Sequence, residues 1–255
     1  MTIWAIADLH LSFGTPGKEM SLFGSSWHDH EKRIEAHWKE CIKDDDLVLI
    51  AGDISWALKL EEAIPDLEWI HQLPGTKVLI RGNHDYWWTS LKKMQNACPP
   101  SIHFIQNNCF IWQEHTTEGA RLWAICGARL WDYTFSFGSF VDFQSNPKEN
   151  KKEKKEDPGE REKIYARELQ RLELSLQSIP SHIEKRIAMV HYPPVDATLH
   201  PSPTSDLLEK YGIQTCLFGH LHSLRANSLP FGQARGVRYL LTACDYLNFA
   251  PIRIT

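Results

Sequence analysis

The chain has 255 residues, 42% hydrophobic and 24% charged, enough to bury a sizeable core and a common length for one α/β domain. Its net charge of -4 gives no bulk electrostatic pull toward nucleic acid or an anionic membrane. The first apolar run leads straight into Asp8 with no room for a signal peptide, no apolar stretch approaches a spanning helix, and the six cysteines lack C-x-x-C spacing, so a cytoplasmic protein with reduced thiols is expected.

Short continuous apolar runs, rather than alternating ones, predict strands buried on both faces at Thr2–Ala7, Leu47–Ala51, Lys77–Arg81, Arg121–Cys126, Arg186–Val190, Thr215–Phe218 and Val237–Ala243. After the first, Leu11–His30 is rich in Gly, Ser and aromatics and reads as a long loop. Glu31–Lys43 then sets Ile34, Trp38, Cys41 and Ile42 at near-helical spacing, which predicts an amphipathic helix and a first crossover. Glu61–Leu73 carries Ile64, Leu67 and Ile70 at three-residue spacing and stops at Pro74-Gly75, a second crossover. Ile102–Ile105 and Cys109–Trp112 flank Gln106-Asn107-Asn108 and predict a hairpin, with a turn at Glu118-Gly119, which suggests a second sheet.

Farther on, Lys148–Lys163 is almost wholly charged, but its seven Lys or Arg face six Asp or Glu, so it reads as a solvated loop and helix start rather than a basic arm. The helix behind it places Tyr165, Leu169, Leu172, Leu176 and Ile179 on one stripe. With no internal repeat and no long linker, residues 1–255 are expected to form a single domain.

Five short clusters carry the chemistry: Asp8-Leu9-His10, Gly52-Asp53, Gly82-Asn83-His84-Asp85, His191, and Gly219-His220-Leu221-His222. Each follows an apolar run, and parallel strands of one sheet would deliver all five to the same carboxyl edge, where open α/β sheets place their sites. One histidine at a strand end is usually satisfied by a hydrogen bond; the joint pattern is what points to metal. Hydrolysing a phosphate ester requires bringing an oxygen nucleophile to a phosphorus shielded by negative oxygens, and two divalent ions about 4 Å apart ionise a water and neutralise the charge that develops. Asp8, His10 and His222 can converge on one ion, while Asn83, His191 and His220 serve the other and Asp53 bridges through its two oxygens. A mixed oxygen and imidazole shell suits Mn, Fe or Zn rather than Mg or Ca, with Mn the first expectation. The neutral Asn83 leaves the pair enough positive charge to polarise a phosphate, and the set is unlike a Cys-rich structural zinc site. Gly52, Gly82 and Gly219 fit turns that bring backbone close to ions.

The order D-x-H, G-D, G-N-H-D, H, G-H-x-H, running from Asp8 to His222, resembles that of the calcineurin-like metallophosphoesterases. The resemblance implies a four-layer αββα sandwich of two mixed β-sheets flanked by helices. It also implies that Asp53 bridges two metals and that His84 protonates the leaving oxygen or stabilises the phosphoryl group. Asp85 is expected to support its loop. Protein phosphatases of the eukaryotic type carry Asp-Arg-Gly shortly after the second motif and an Arg after the third. This chain reads Asp53-Ile54-Ser55-Trp56 and Asp85-Tyr86-Trp87-Trp88, which disfavours that activity.

Three groups have two readings each. Tyr86, Trp87 and Trp88 either wall the substrate pocket or pack in the core. Arg129, after a strand on the expected site edge, either clamps a phosphate or lies on the surface. His28, Asp29 and His30 either line the pocket or belong to a solvated loop. His37, His71, His103, His115, His182 and His200 keep ordinary structural readings.

The leading functional expectation is a phosphohydrolase acting on a small phosphomonoester or phosphodiester, a nucleotide or cyclic nucleotide among them. A nuclease of the same superfamily would normally add a basic groove, and a binding scaffold would be expected to have lost ligands that are all present here. Small phosphate esters are therefore the expected partners, without membrane and with nucleic acid disfavoured.

Overall fold

The structure, a computed structural model, describes residues 1–117, 119–133, 135, 137, 140, 157–224 and 231–255. The first half of the chain gives strands β1 (Ile3–Ile6), β2 (Leu47–Ile50), β3 (Thr76–Leu79) and β4 (Ile102–Phe104), with helices α1 (His30–Cys41), α2 (Leu60–Gln72) and α3 (Leu91–Ala97). Then come β5 (Phe110–Thr116), β6 (Gly119–Ala128), α4 (Pro158–Gln177), β7 (Lys185–Val190), α5 (Pro203–Lys210) and β8 (Thr215–Phe218). The chain closes with β9 (Gln233–Ala234), β10 (Val237–Leu241) and β11 (Ile252–Arg253).

Two mixed sheets result, ordered β11-β1-β2-β3-β4 and β5-β6-β7-β8-β10-β9. In the first, β1 to β4 run parallel and β11 is antiparallel to β1. In the second, β6, β7, β8 and β10 are parallel, with β5 and β9 antiparallel at the edges. Successive side chains of a strand point to opposite faces, and here both faces are covered. Ile3, Ala5, Leu47, Leu49 and Val78 meet Ile125, Ile187, Met189 and Leu217 between the sheets. Ile6, Val48, Ile50 and Leu79 pack outward on Ile34, Trp38, Leu67 and Ile70 of α1 and α2. On the far side Ala188, Val190, Cys216 and Phe218 cover Leu172 and Leu176 of α4 and Leu208 of α5. These are the four layers expected, and the double burial explains why the strands read as unbroken apolar runs.

Two expectations need correction. The metal-ligand clusters do not leave one sheet: the first three follow β1, β2 and β3, and the last two follow β7 and β8 of the other sheet. The hairpin across Gln106-Asn107-Asn108 does not form either. Strand β4 lies parallel to β3, whereas β5 pairs with β6 in the second sheet, so the polar residues between them mark a passage from sheet to sheet. The side chains decide this: Ile102 and Phe104 are buried against α3, while Phe110 and Trp112 pack on the core between the sheets. Of the expected turn, Glu118 lies outside the described residues, as do 148–156 of the charged run; its remainder enters α4, with Pro158 at the first turn. Tyr165, Leu172 and Leu176 lie buried along α4, with Leu169 partly covered and Ile179 just beyond its end. The Leu11–His30 loop contains two single-turn 3-10 segments, Met20–Phe23 and Ser25–Trp27.

Asp66 of α2 holds two site-bearing loops together. Its carboxylate accepts from the Phe13 amide at 2.7 Å and from the Ser55 hydroxyl. Burial pushes its pKa up to about 6 from 3.8, the hydrogen bonds opposing. A carboxyl whose pKa is higher folded than unfolded favours folding most below pH 4, and that contribution is lost as pH rises through 6. Asp66→Asn should therefore gain stability relative to wild type, by up to about 3 kcal/mol, between pH 4 and pH 7 in paired urea titrations. A pH-independent difference would assign the shift to another group.

Candidate metal centre

The two sheets are sewn together where β1 and β10 end. Ala7 donates its amide to Thr242 O at 2.7 Å, and Cys244 donates to Ala7 O at 3.0 Å. That seam sets Asp8 and His10 beside the segment after β8 and beside Asp245 after β10.

Two groups of donor atoms form. In the first, His10 Nε2 lies 3.3 Å from His222 Nε2, which lies 3.5 Å from Asp8 Oδ1. In the second, Asn83 Oδ1 lies 2.6 Å from His191 Nε2 and 3.0 Å from His220 Nδ1. Asp53 Oδ2 is 3.7 Å from His10 Nε2 and 3.5 Å from His191 Nε2, so it faces both. Donors about 2.1 Å from a common ion stand roughly 3.0–3.5 Å from one another. Asp8-His10-His222 and Asp8-Asp53-His191 each bring one ligand atom per residue within 4.8 Å of one another, close enough for a modest inward shift to close on an ion. The other oxygen of Asp53, Oδ1, accepts the His84 amide at 2.8 Å. The backbone of the third motif is thereby tied to the same carboxylate that stands between the two donor groups.

The contacts of the imidazoles suit these residues to a cation. His191 Nδ1 faces Ala51 O at 3.0 Å and His222 Nδ1 faces Asp245 Oδ1 at 3.0 Å, so each carries its hydrogen there and turns an Nε2 lone pair inward. Those lone pairs confront carboxylate and amide oxygens, an arrangement that is repulsive unless positive charge sits among them. Protons are the substitute. Burial opposes charge on His191, but the Asp53 and Asp8 carboxylates outweigh it and lift its pKa to about 9. Burial is likewise outweighed at His222, by Asp245 and Asp8, and its pKa stands well above the usual value. At His10 and His220 burial prevails and both are held well below it. Metal binding must then displace protons, so affinity weakens as pH falls.

The backbone is shaped for this convergence. Asp8, His10, Asp53 and His220 have φ of 60°, 46°, 52° and 70°, a left-handed region costing non-glycine residues on the order of 1 kcal/mol or more each. Hydrogen bonds hold them there, His10 N–H to Asp53 O at 3.0 Å and Asp8 N–H to Gly52 O at 2.9 Å. A Cβ at Gly82 would overlap the Asp53 carboxylate, and one at Gly219 the Asp8 carboxylate, so both positions need glycine for the approach.

Asp85 braces the third motif, as expected. It accepts from the Ile54, Ser55 and Gly82 amides at 2.9, 3.2 and 2.7 Å and from Trp87 Nε1 at 2.9 Å, and burial lifts its pKa to about 6. His84 stands at the rim with its side chain 36% exposed and Nε2 4.0 Å from Asp53 Oδ2.

The residues with two readings divide. Tyr86 is 58% exposed beside His84 and remains available to a substrate, whereas Trp87 is buried and Trp88 packs on Phe104. The Arg129 guanidinium lies neither at the surface nor on the metal ligands: it pairs with buried Glu168 at 3.2 Å. His28 and Asp29 are exposed, while His30 is buried with Nε2 2.9 Å from Leu9 O, propping the first motif.

Sequence reasoning missed three residues. Trp56 stacks on His10 with centroids 4.9 Å apart and reaches His84 at 4.5 Å. Trp27 meets His10 and His222 edge-on at 6.0 and 5.6 Å. Asp245, whose partner is His222, follows a strand as the other ligands do, and that position was its available signal. Groups that orient metal-binding histidines matter for affinity, so Asp245→Ala is expected to weaken metal retention by roughly 10- to 100-fold in competition with a chromogenic chelator. Unchanged retention would leave the Asp245–His222 pair without a role at the metal.

The chain is similar to several known proteins in sequence and in fold. The Gene 66 proteins of Mycobacterium phages D29 and L5 are 32% and 34% identical over 83 and 82 residues, about a third of this chain, and the matches span 40% and 39% of those proteins. Among solved structures, the calcineurin-like phosphoesterase YfkN of Bacillus subtilis superposes with a TM-score of 0.53 at 15% identity, covering 96% of this chain and 82% of that one. A protein of unknown function from Aquifex aeolicus, AQ665, gives 0.50 at 14% identity over 99% and 95% of the two chains. At such identities the likeness is one of fold. The model of the calcineurin-like phosphoesterases matches residues 1–224, which take in every motif from Asp8 to His222, and the chain belongs to that family.

Proposed function

We propose that the protein hydrolyses a small phosphomonoester or phosphodiester at a dinuclear centre, with Asp8, His10 and His222 at one ion, Asn83, His191 and His220 at the other, and Asp53 between them. The observation that carries this reading is the placement of Asp53 Oδ2 within 3.7 Å of His10 Nε2 and 3.5 Å of His191 Nε2. Two divalent ions held there would supply an ionised water and neutralise charge on the phosphoryl oxygens. Mn is the first choice, and Fe and Zn accept the same donors. His84, at the open rim, faces the leaving oxygen and assists its departure. Tyr86 beside it offers a ring to an apolar or aromatic leaving group.

The experiment is turnover of p-nitrophenyl phosphate and bis-p-nitrophenyl phosphate by Mn-reconstituted protein. Hydrolysis of either substrate is expected, and their ratio separates monoesterase from diesterase. No turnover of either, with two metals bound per chain, would turn the reading toward a binding role.

A further inference from the structure

Outside the metal centre, a cleft of about 230 Å³ opens at the carboxyl ends of β3 and β6 beside α4, lined by Arg81, Arg129, Arg171, Glu168, Gln106 and Thr89 among others. A single water needs roughly 15 Å³, so the space admits a polyatomic guest. Its charge is net positive, three arginines against one carboxylate. One oxygen of the buried Glu168, Oε1, takes Arg129 Nη2 at 3.2 Å and Arg171 Nη1 at 2.8 Å, with Arg167 Nε at 3.7 Å. Arg81 adds a further positive charge, its Nε–H donating to Asp85 O at 3.2 Å. The Asp85 carboxylate is committed to the Ile54, Ser55 and Gly82 amides.

Arg129 supplies a second, independent observation. Its side chain is only 10% exposed, and its buried Nε–H meets no acceptor among the described residues. A buried donor left unpaired is costly, and the planar guanidinium fork matches the oxygens of phosphate. We infer that the cleft between Arg81, Arg129 and Arg171 binds a phosphate-class oxyanion at a site of its own.

None of the seven metal-ligand candidates lines this cleft. The two sites are nevertheless joined through backbone: Arg81 precedes Gly82-Asn83, and Arg129 O accepts the His191 and Tyr192 amides, each at 3.1 Å. The anion is either free phosphate or the phosphate of an organic ligand, and both present the same oxygens to the guanidiniums.

Inorganic phosphate is titrated calorimetrically into the metal-loaded wild type, into Asp53→Ala, and into Asp53→Ala combined with Arg171→Gln or Arg129→Gln. Wild type is expected to bind two phosphates per chain and Asp53→Ala one. Arg171 is 44% exposed, so its replacement spares the fold, and it should weaken the remaining site about tenfold or more, the worth of a charged hydrogen bond. Phenyl phosphate displacing that phosphate identifies the phosphate of an organic ligand; phenyl phosphate leaving it in place identifies the free ion. Absence of phosphate binding to Asp53→Ala, or affinity there indifferent to both arginine substitutions, overturns the inference. The deciding titrations, those into Asp53→Ala and its arginine variants, proceed without the metal centre, so their outcome is separate from that of the hydrolytic reading.

Discussion

Asp53→Ala is expected to lose metal binding and turnover together, the activity falling on the order of 10³-fold or more, since charge stabilisation by bound ions is worth several kcal/mol. Asp53 Oδ2 is the atom that faces both donor groups, at 3.7 Å from His10 Nε2 and 3.5 Å from His191 Nε2. Its other oxygen anchors the third motif through the His84 amide at 2.8 Å, so alanine also frees the loop that carries Asn83. Asp53→Asn separates the two effects: an amide oxygen can still accept from His84 while the negative charge is gone. Metal content by mass spectrometry should fall in both variants, and turnover with it. A ligand that binds only the folded state raises its stability, so chelation should lower the wild-type melting temperature and leave that of Asp53→Ala nearly unmoved. Two metals in an active Asp53→Ala protein would end the bridging assignment.

Much of the placement of these residues is legible in the sequence because its signals are of the reliable kind. Leu47–Ile50 is unbroken apolar because one face meets α1 and α2 and the other meets the second sheet, and Gly52-Asp53 follows at once. What escaped was set by partners distant in sequence. Nothing near Ile102 shows that it pairs with Lys77 rather than folding back on Cys109–Trp112, and a polar triplet marks a change of sheet as readily as a hairpin. The orientation of the Asp53 carboxylate depends on an amide 31 positions away. Strand β11 is two residues long and lies against β1 at the other end of the chain. Helix α5 did carry a readable signal: Ser202 caps it, its hydroxyl accepting the Ser205 amide at 3.0 Å, with Pro203 in the first turn. Trp56 was seen only as a departure from the protein phosphatase pattern, although it packs on two site histidines.

His84→Ala should keep both metals and lose rate, by about 10²- to 10⁴-fold, the usual worth of a positioned proton donor. Metals are retained because His84 belongs to neither donor group and its half-buried ring lies 4.0 Å from Asp53 Oδ2. The size of the loss should depend on the leaving group. p-Nitrophenolate departs without a proton and should hide most of the defect, whereas an alkyl phosphate, whose alkoxide needs one, should expose it. The pH dependence distinguishes the two roles open to the imidazole. Burial lowers its pKa below 6.5, Asp53 opposing and His191 and His222 reinforcing, so the acid form is depleted as pH rises through that lowered value. If His84 delivers a proton to the leaving oxygen, the ratio of wild-type to His84→Ala rates on the alkyl ester should shrink from pH 5 to pH 8. A neutral imidazole holding a phosphoryl oxygen by its N–H would instead give a constant ratio and equal losses on both esters. That pair of results would remove proton transfer from the mechanism and leave His84 a hydrogen-bond donor to the phosphoryl group.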